Sequence, residues 1–140
     1  MDRPKARCRL LPVLLAMGAI FYQSHQPGNS FSLPEIDHVD KLLHSLVYAV
    51  LALAFLFALP PQWRRQRPWL AGWVTVLFCL LYGISDEVHQ AFIPGRHAGI
   101  DDLAADVAGD LLAVVGCWGW RRWRTIMKSR GLPHEPSCSG

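Results

Sequence analysis

The chain has little charge. Asp, Glu, Lys and Arg make up 18% of its 140 residues, against 51% hydrophobic. It also lacks the alternating apolar and polar faces of a soluble domain of this size, because its apolar residues come in blocks. There is no H-E-x-x-H, no C-x-x-C and no Gly-rich phosphate loop, so the familiar zinc-protease, thiol-redox and nucleotide signatures are excluded. Internal repeats and low-complexity tracts are absent. The four cysteines make no disulfide framework: Cys8 and Cys138 lie in the terminal tails, and Cys79 and Cys117 lie at different depths of two apolar segments, where thiols serve as small fillers. The net charge of +3 has no accompanying nucleic-acid signal, and no nucleic-acid partner is expected.

What is present is four apolar blocks, at about residues 10–22, 42–59, 69–85 and 103–120. A helix needs roughly 20 apolar residues to cross about 30 Å of hydrocarbon. The second and fourth blocks approach that length, the third is slightly shorter, and the first is the shortest. A signal peptide is the alternative for the first block, given Arg3, Lys5, Arg7 and Arg9 before it. The following Phe21-Tyr22-Gln23-Ser24-His25 offers no small-x-small cleavage site, which favours an uncleaved helix. The expected fold is an all-α polytopic membrane protein with four transmembrane helices over residues 1–124. Residues 125–140 read as a disordered cytoplasmic tail.

Charge predicts the topology. Twelve of the fourteen basic residues fall before the first block, between the second and third, or after the fourth; Lys41 and Arg96 are the exceptions. The positive-inside rule places those three segments, and both termini, in the cytoplasm. Trp63, Trp69, Trp118, Trp120 and Trp123 fall at the same helix ends, as an interfacial belt does. The acids cluster at the opposite ends, so the two outer connections are where a functional site is expected. The second of these contains Ile93-Pro94-Gly95-Arg96, a strong turn signal.

Three polar stripes stand at these outer ends. Asp40, His44 and Tyr48 repeat every four residues; so do Tyr82, Asp86 and Gln90, with Glu87 alongside, and Asp102, Asp106 and Asp110. An acid at the centre of a membrane helix costs about 2.5–3.5 kcal/mol, so such stripes point inward to a polar site or a water-filled cleft. Small-residue ridges lie beside them, Ala105, Gly109, Ala113 and Cys117 on one block and Thr75, Cys79 and Gly83 on another. Ridges of this kind mark faces where helices approach closely. The stripes are therefore expected to converge.

Two residues keep alternative readings. Arg96, with Lys41, either neutralises Asp86, Glu87 and Asp102 or grips an anionic headgroup. His44 is a structural residue, a proton carrier or a metal ligand, and as a carrier it would work beside Asp86 and Glu87. Asp86 and His89 form a single D-x-x-H step, whereas di-iron bundles need matching ligands on several helices. No metal and no cofactor are expected.

The segments Asp40-Lys41-x-x-His44-x-x-x-Tyr48, Tyr82-Gly83-x-x-Asp86-Glu87-x-x-Gln90-x-Phe92-x-Pro94-Gly95-Arg96 and Asp102-x-x-Ala105-Asp106-x-x-Gly109 resemble the VanZ-like membrane proteins. The resemblance runs from about residue 40 to 109, in the right order. It implies a small multi-pass protein of the bacterial cytoplasmic (inner) membrane. It also implies an accessory role in the cell envelope, such as the teicoplanin resistance associated with the family's namesake. The motif residues carried over are Asp40, Lys41, His44, Tyr48, Asp86, Glu87, Gln90, Arg96, Asp102 and Asp106. Many members have Asn at the position of Asp106 and a small or apolar residue at that of Asp110, so this chain is the more acidic.

Three functions are weighed. The favoured one is non-enzymatic: an outward polar site that binds a lipid or a lipid-linked envelope precursor, with a second copy of the chain as a further partner. The alternative is an enzyme acting on an outer-leaflet lipid phosphate, with candidate catalytic residues His44, Asp86 and Glu87. A proton or cation pathway is disfavoured, because the second block is apolar beyond Tyr48.

Overall fold

The computed structural model describes residues 3–26, 39–95 and 99–130, with side chains for 8–26, 41–95 and 99–129. The described residues form five helices and no strands: α1 (Arg3–Ser24), α2 (Val39–Ala58), α3 (Pro61–Gln66), α4 (Pro68–Gln90) and α5 (Ile100–Arg130). Three contain stretches long and apolar enough to cross a membrane, Lys41–Ala58, Pro68–Gln90 and Ile100–Ser129. A shorter apolar stretch, Cys8–Ser24, lies in α1. The protein is an all-α polytopic membrane protein.

Several boundaries differ from the sequence reading, among them the start of α1 at Arg3 and the end of α4 at Gln90. The connection after α2 holds the short helix α3, started by Pro61, whose fixed φ and missing N–H suit the first helical turn. Helix α5 runs on to Arg130, so residues 125–130 of the expected tail are helical. Residues 131–140, Cys138 among them, lie outside the described residues, as do the side chain of Asp40 and the whole of Arg96.

Helix α2 is the hub. Its most extensive contact is with α5, and it also packs against α1 and α4, while α4 also packs on α5. A Cβ on Gly109 of α5 would collide with the carbonyl oxygen of Ser45, so only glycine permits this approach of α2 and α5. The Ser45 hydroxyl donates to the Ala105 carbonyl at 2.8 Å in the same contact. The apolar core between the helices contains Val13, Ile20, Leu51, Ala52 and Cys79, with Phe55 and Phe78 stacked 4.0 Å apart beside it. Outward-facing Leu14, Leu46, Trp73 and Leu112 are exposed, as lipid-facing side chains are.

The two ends of the bundle differ in chemistry. At the basic end Trp69 and Trp118 pack with ring centroids 4.4 Å apart, and Arg121 donates to the Arg64 carbonyl at 3.1 Å. Burial and the neighbouring Arg121 guanidinium lower the Arg64 pKa from its ordinary value. At the acidic end α4 stops where Pro94 and Gly95 reverse the chain; Gly95 has φ 78°, a left-handed conformation that glycine adopts without strain. Asp101 and Asp102 then occupy the first turn of α5, where the helix dipole favours acids.

Candidate functional site

The acidic end contains two polar groupings that share one corner of the bundle. The first joins α1 to α4. Ser24 donates to Oδ2 of Asp86 at 2.7 Å, and the Gln90 amide donates to the same oxygen at 2.9 Å and to the Ser24 hydroxyl at 3.2 Å. All three residues are buried. Tyr82, one turn deeper, donates to the Met17 carbonyl at 2.7 Å and so fastens α1 rather than joining the network.

The second grouping joins α2, α4 and α5. A ring nitrogen of His44 lies 3.3 Å from Oδ1 of Asp106, with both side chains largely buried. Glu87 reaches across from α4, and its Oε2 accepts the Gly99 N–H at 3.0 Å, at the N-terminal end of α5. An anionic side chain is stabilised at such a helix start. The other Glu87 oxygen is buried without a hydrogen-bond partner. One ligand atom from each of His44, Glu87 and Asp106 lies within 4.8 Å of the other two.

Between the groupings lies a cavity of about 20 Å³, bordered by Ser24, His44, Tyr48, Asp86 and Gln90. Tyr48 is 1% exposed and its hydroxyl has no hydrogen-bond partner. Asp110, one turn further into α5, is completely buried. Neither of its oxygens has a hydrogen-bond partner, and the Cys79 thiol is a neighbour.

The residues expected from sequence are thus distributed unevenly. His44, Tyr48, Asp86, Glu87, Gln90 and Asp106 come together around one corner. Lys41 does not join them: it pairs with Asp101 at 3.2 Å on the surface, with the two side chains 46% and 80% exposed. Asp102 is half-buried beside Gly99 and, among the described residues, makes no side-chain hydrogen bond. Asp86 and Glu87 face different neighbours, Ser24 and Gly99, because successive helical residues point about 100° apart.

Ser24 and His25 were not singled out by the sequence reading, and His89 was read only as half of a D-x-x-H step. Ser24 follows the first apolar block and carries no charge, so only the extension of α1 to that residue reveals its role. His25 and His89 meet with ring nitrogens 3.3 Å apart, and Phe21 stacks on His89 at 4.9 Å. Two isolated histidines far apart in the chain give no spacing signal.

Long apolar helices with a polar pocket set into one end of the bundle make this chain a polytopic membrane protein. The sequence profile described as VanZ/LLP1 matches residues 9–123, and the chain belongs to that family. Comparison with curated proteins and with solved structures yields no match.

Proposed function

We propose that this VanZ-like membrane protein binds a lipid or lipid-linked headgroup at its acidic end and thereby changes the properties of the cell envelope, with glycopeptide (teicoplanin) resistance as one outcome. The observation that carries this reading is the gathering of buried Ser24, Tyr48, Asp86, Gln90 and Asp106 at one end of an otherwise apolar bundle. Polar groups at membrane depth are costly and mark ligand or ion sites.

The chemistry narrows the headgroup. Carboxylates accept hydrogen bonds, so hydroxyl and ammonium groups of a glycosyl or amino headgroup suit Asp86 and Glu87. A cavity of about 20 Å³ holds about one water, so the headgroup sits across its mouth and not inside it. Lys41 and Arg96 are the two basic residues outside the three basic segments and are assigned to phosphate, for which Lys41 would exchange its exposed Asp101 partner. The distribution of basic residues supports cytoplasmic termini and an outward-facing acidic end in the bacterial cytoplasmic membrane.

Mass spectrometry of lipids that co-purify with the protein tests the reading. One headgroup class should be enriched over the bulk membrane, and Arg96→Ala should reduce that enrichment. A lipid profile equal to bulk membrane for both proteins would overturn it. Labelling of single cysteines with impermeant reagents at positions 40 and 96 tests the orientation, and both should react from outside.

One contact favours a second reading. The approach of His44 to Asp106 at 3.3 Å supports general-base chemistry on an outer-leaflet lipid phosphate, with the carboxylate orienting the ring. On that reading His44→Ala and Glu87→Gln abolish a measurable lipid conversion at normal protein levels, whereas a binding protein shows no turnover in any variant.

A further inference from the structure

We propose that His44, Glu87 and Asp106 form a binding site for one divalent metal cation of the zinc or manganese class. The sequence reading expects no metal, because the single D-x-x-H step of Asp86 and His89 has no matching motif on another helix and no H-E-x-x-H or C-x-x-C occurs. The site is assembled instead from α2, α4 and α5, one residue from each. The three ligand atoms lie within 4.8 Å of one another. Around a cation with bonds of about 2.1 Å, tetrahedral ligand atoms sit about 3.4 Å apart. Small side-chain rotations close that difference.

Independent features of the corner point to a missing ligand. Tyr48 is 1% exposed, yet its hydroxyl lacks a hydrogen-bond partner. Its ring is near the cluster: Tyr48 Cε1 and Asp106 Oδ2 stand 3.4 and 3.5 Å from the one point that a Cβ on Gly83 would occupy, and so are no more than about 7 Å apart. Oε1 of Glu87 is likewise buried and unpartnered, while the Gly99 N–H holds Oε2 and sets the orientation of the carboxylate. An outer hydrogen bond of that kind is usual for a metal-binding carboxylate. A buried polar atom without a partner is costly, and a cation with one bound water would satisfy both oxygens.

Charge argues the same way. Asp86, Asp106 and Asp110 are buried, with Glu87 beside them, while Lys41 is taken up by Asp101 at the surface. A dication offsets that concentration of acids. One imidazole with two carboxylates favours zinc or manganese over calcium and magnesium, which prefer all-oxygen sites, and no thiolate is present to favour copper(I). The proposal goes beyond headgroup binding and does not depend on it.

The test uses the full chain in detergent, stripped with a chelator, reloaded with Zn²⁺ and desalted. Elemental analysis should find about one Zn²⁺ per chain. Glu87→Gln and Asp106→Asn should each weaken retention at least about tenfold. A His25→Ala, His89→Ala double variant, which removes the nearby surface histidine pair, should keep the metal. Because a substituted bundle can fail to fold, pulsed electron paramagnetic resonance of the Mn²⁺-loaded wild type supplies a second readout, and it should show coupling to one imidazole nitrogen. Failure of the wild type to retain Zn²⁺, loss of the metal only with His25 and His89, or an Mn²⁺ signal without nitrogen coupling would each overturn the proposal.

Discussion

At the acidic end of the bundle most polar side chains are buried and bonded across helices, with Lys41 and Asp101 exposed; at the basic end most are exposed, with Arg64 half-buried, and Trp69 packs on Trp118. Ser24, Asp86, Gln90, His44 and Asp106 belong to the first kind, and Arg65, Arg67, Arg122 and Arg124 to the second. Side-chain length accounts for the difference. An arginine can lay its methylenes along apolar surface and carry its charge to the headgroup layer, whereas an aspartate or serine cannot reach that far. Short polar groups placed inside a span must find partners inside it. Polar substitutions should therefore be costly at one end and mild at the other.

The largest expected effect tests the packing on which this contrast rests. Gly109→Val should drive α2 from α5 at the Ser45 carbonyl and destabilise the protein by about 3 kcal/mol, read as a lowered unfolding temperature in detergent. Gly116, towards the basic end of the same helix, has open space where a Cβ would stand. Gly116→Ala should be neutral or stabilise by up to about 1 kcal/mol. Equal behaviour of the two variants would remove the close approach from the account.

Next in size is Asp86→Ala, which leaves the Ser24 hydroxyl and the Gln90 amide without their acceptor and should cost about 2 kcal/mol. Asp86→Asn keeps an accepting oxygen and should cost less in the same unfolding assay. If the two cost the same, the network contributes charge rather than hydrogen bonding. Tyr82→Phe removes the bond to the Met17 carbonyl and should cost about 1 kcal/mol, measurable as earlier proteolysis of α1. The smallest effect belongs to Lys41→Ala. Its exposed pair with Asp101 is worth less than about 1 kcal/mol, and added salt should erase the difference from wild type.

Much of the fold was legible in the blocks of apolar residues. The third and fourth blocks fall within α4 and α5, and all of the second but residue 59 falls within α2, because burying backbone amides in hydrocarbon demands helices. The ends were less legible. Residues 125–130 are polar enough to read as tail, yet they continue α5. The short helix α3, which starts at Pro61, is too short and too polar to stand out as an apolar block. At the site, spacing by four residues picked out His44, Tyr48, Asp86, Gln90 and Asp106. It could not tell that Tyr82 would turn to α1, that Asp86 and Glu87 would serve different neighbours, or that Lys41 would stay on the surface.

The sequence by itself determined that this chain is a membrane helical bundle with its acids at one set of helix ends. Composition, block length and the distribution of charge are local quantities and can be read in one dimension. Only the tertiary structure decided that the acidic stripes divide into an α1–α4 network and an α2–α4–α5 cluster of His44, Glu87 and Asp106. That division depends on how far each helix is rotated about its axis. The rotation is set where Gly109 meets Ser45 and where Ser24 meets Asp86, contacts between residues roughly 60 positions apart in the chain that no local pattern encodes.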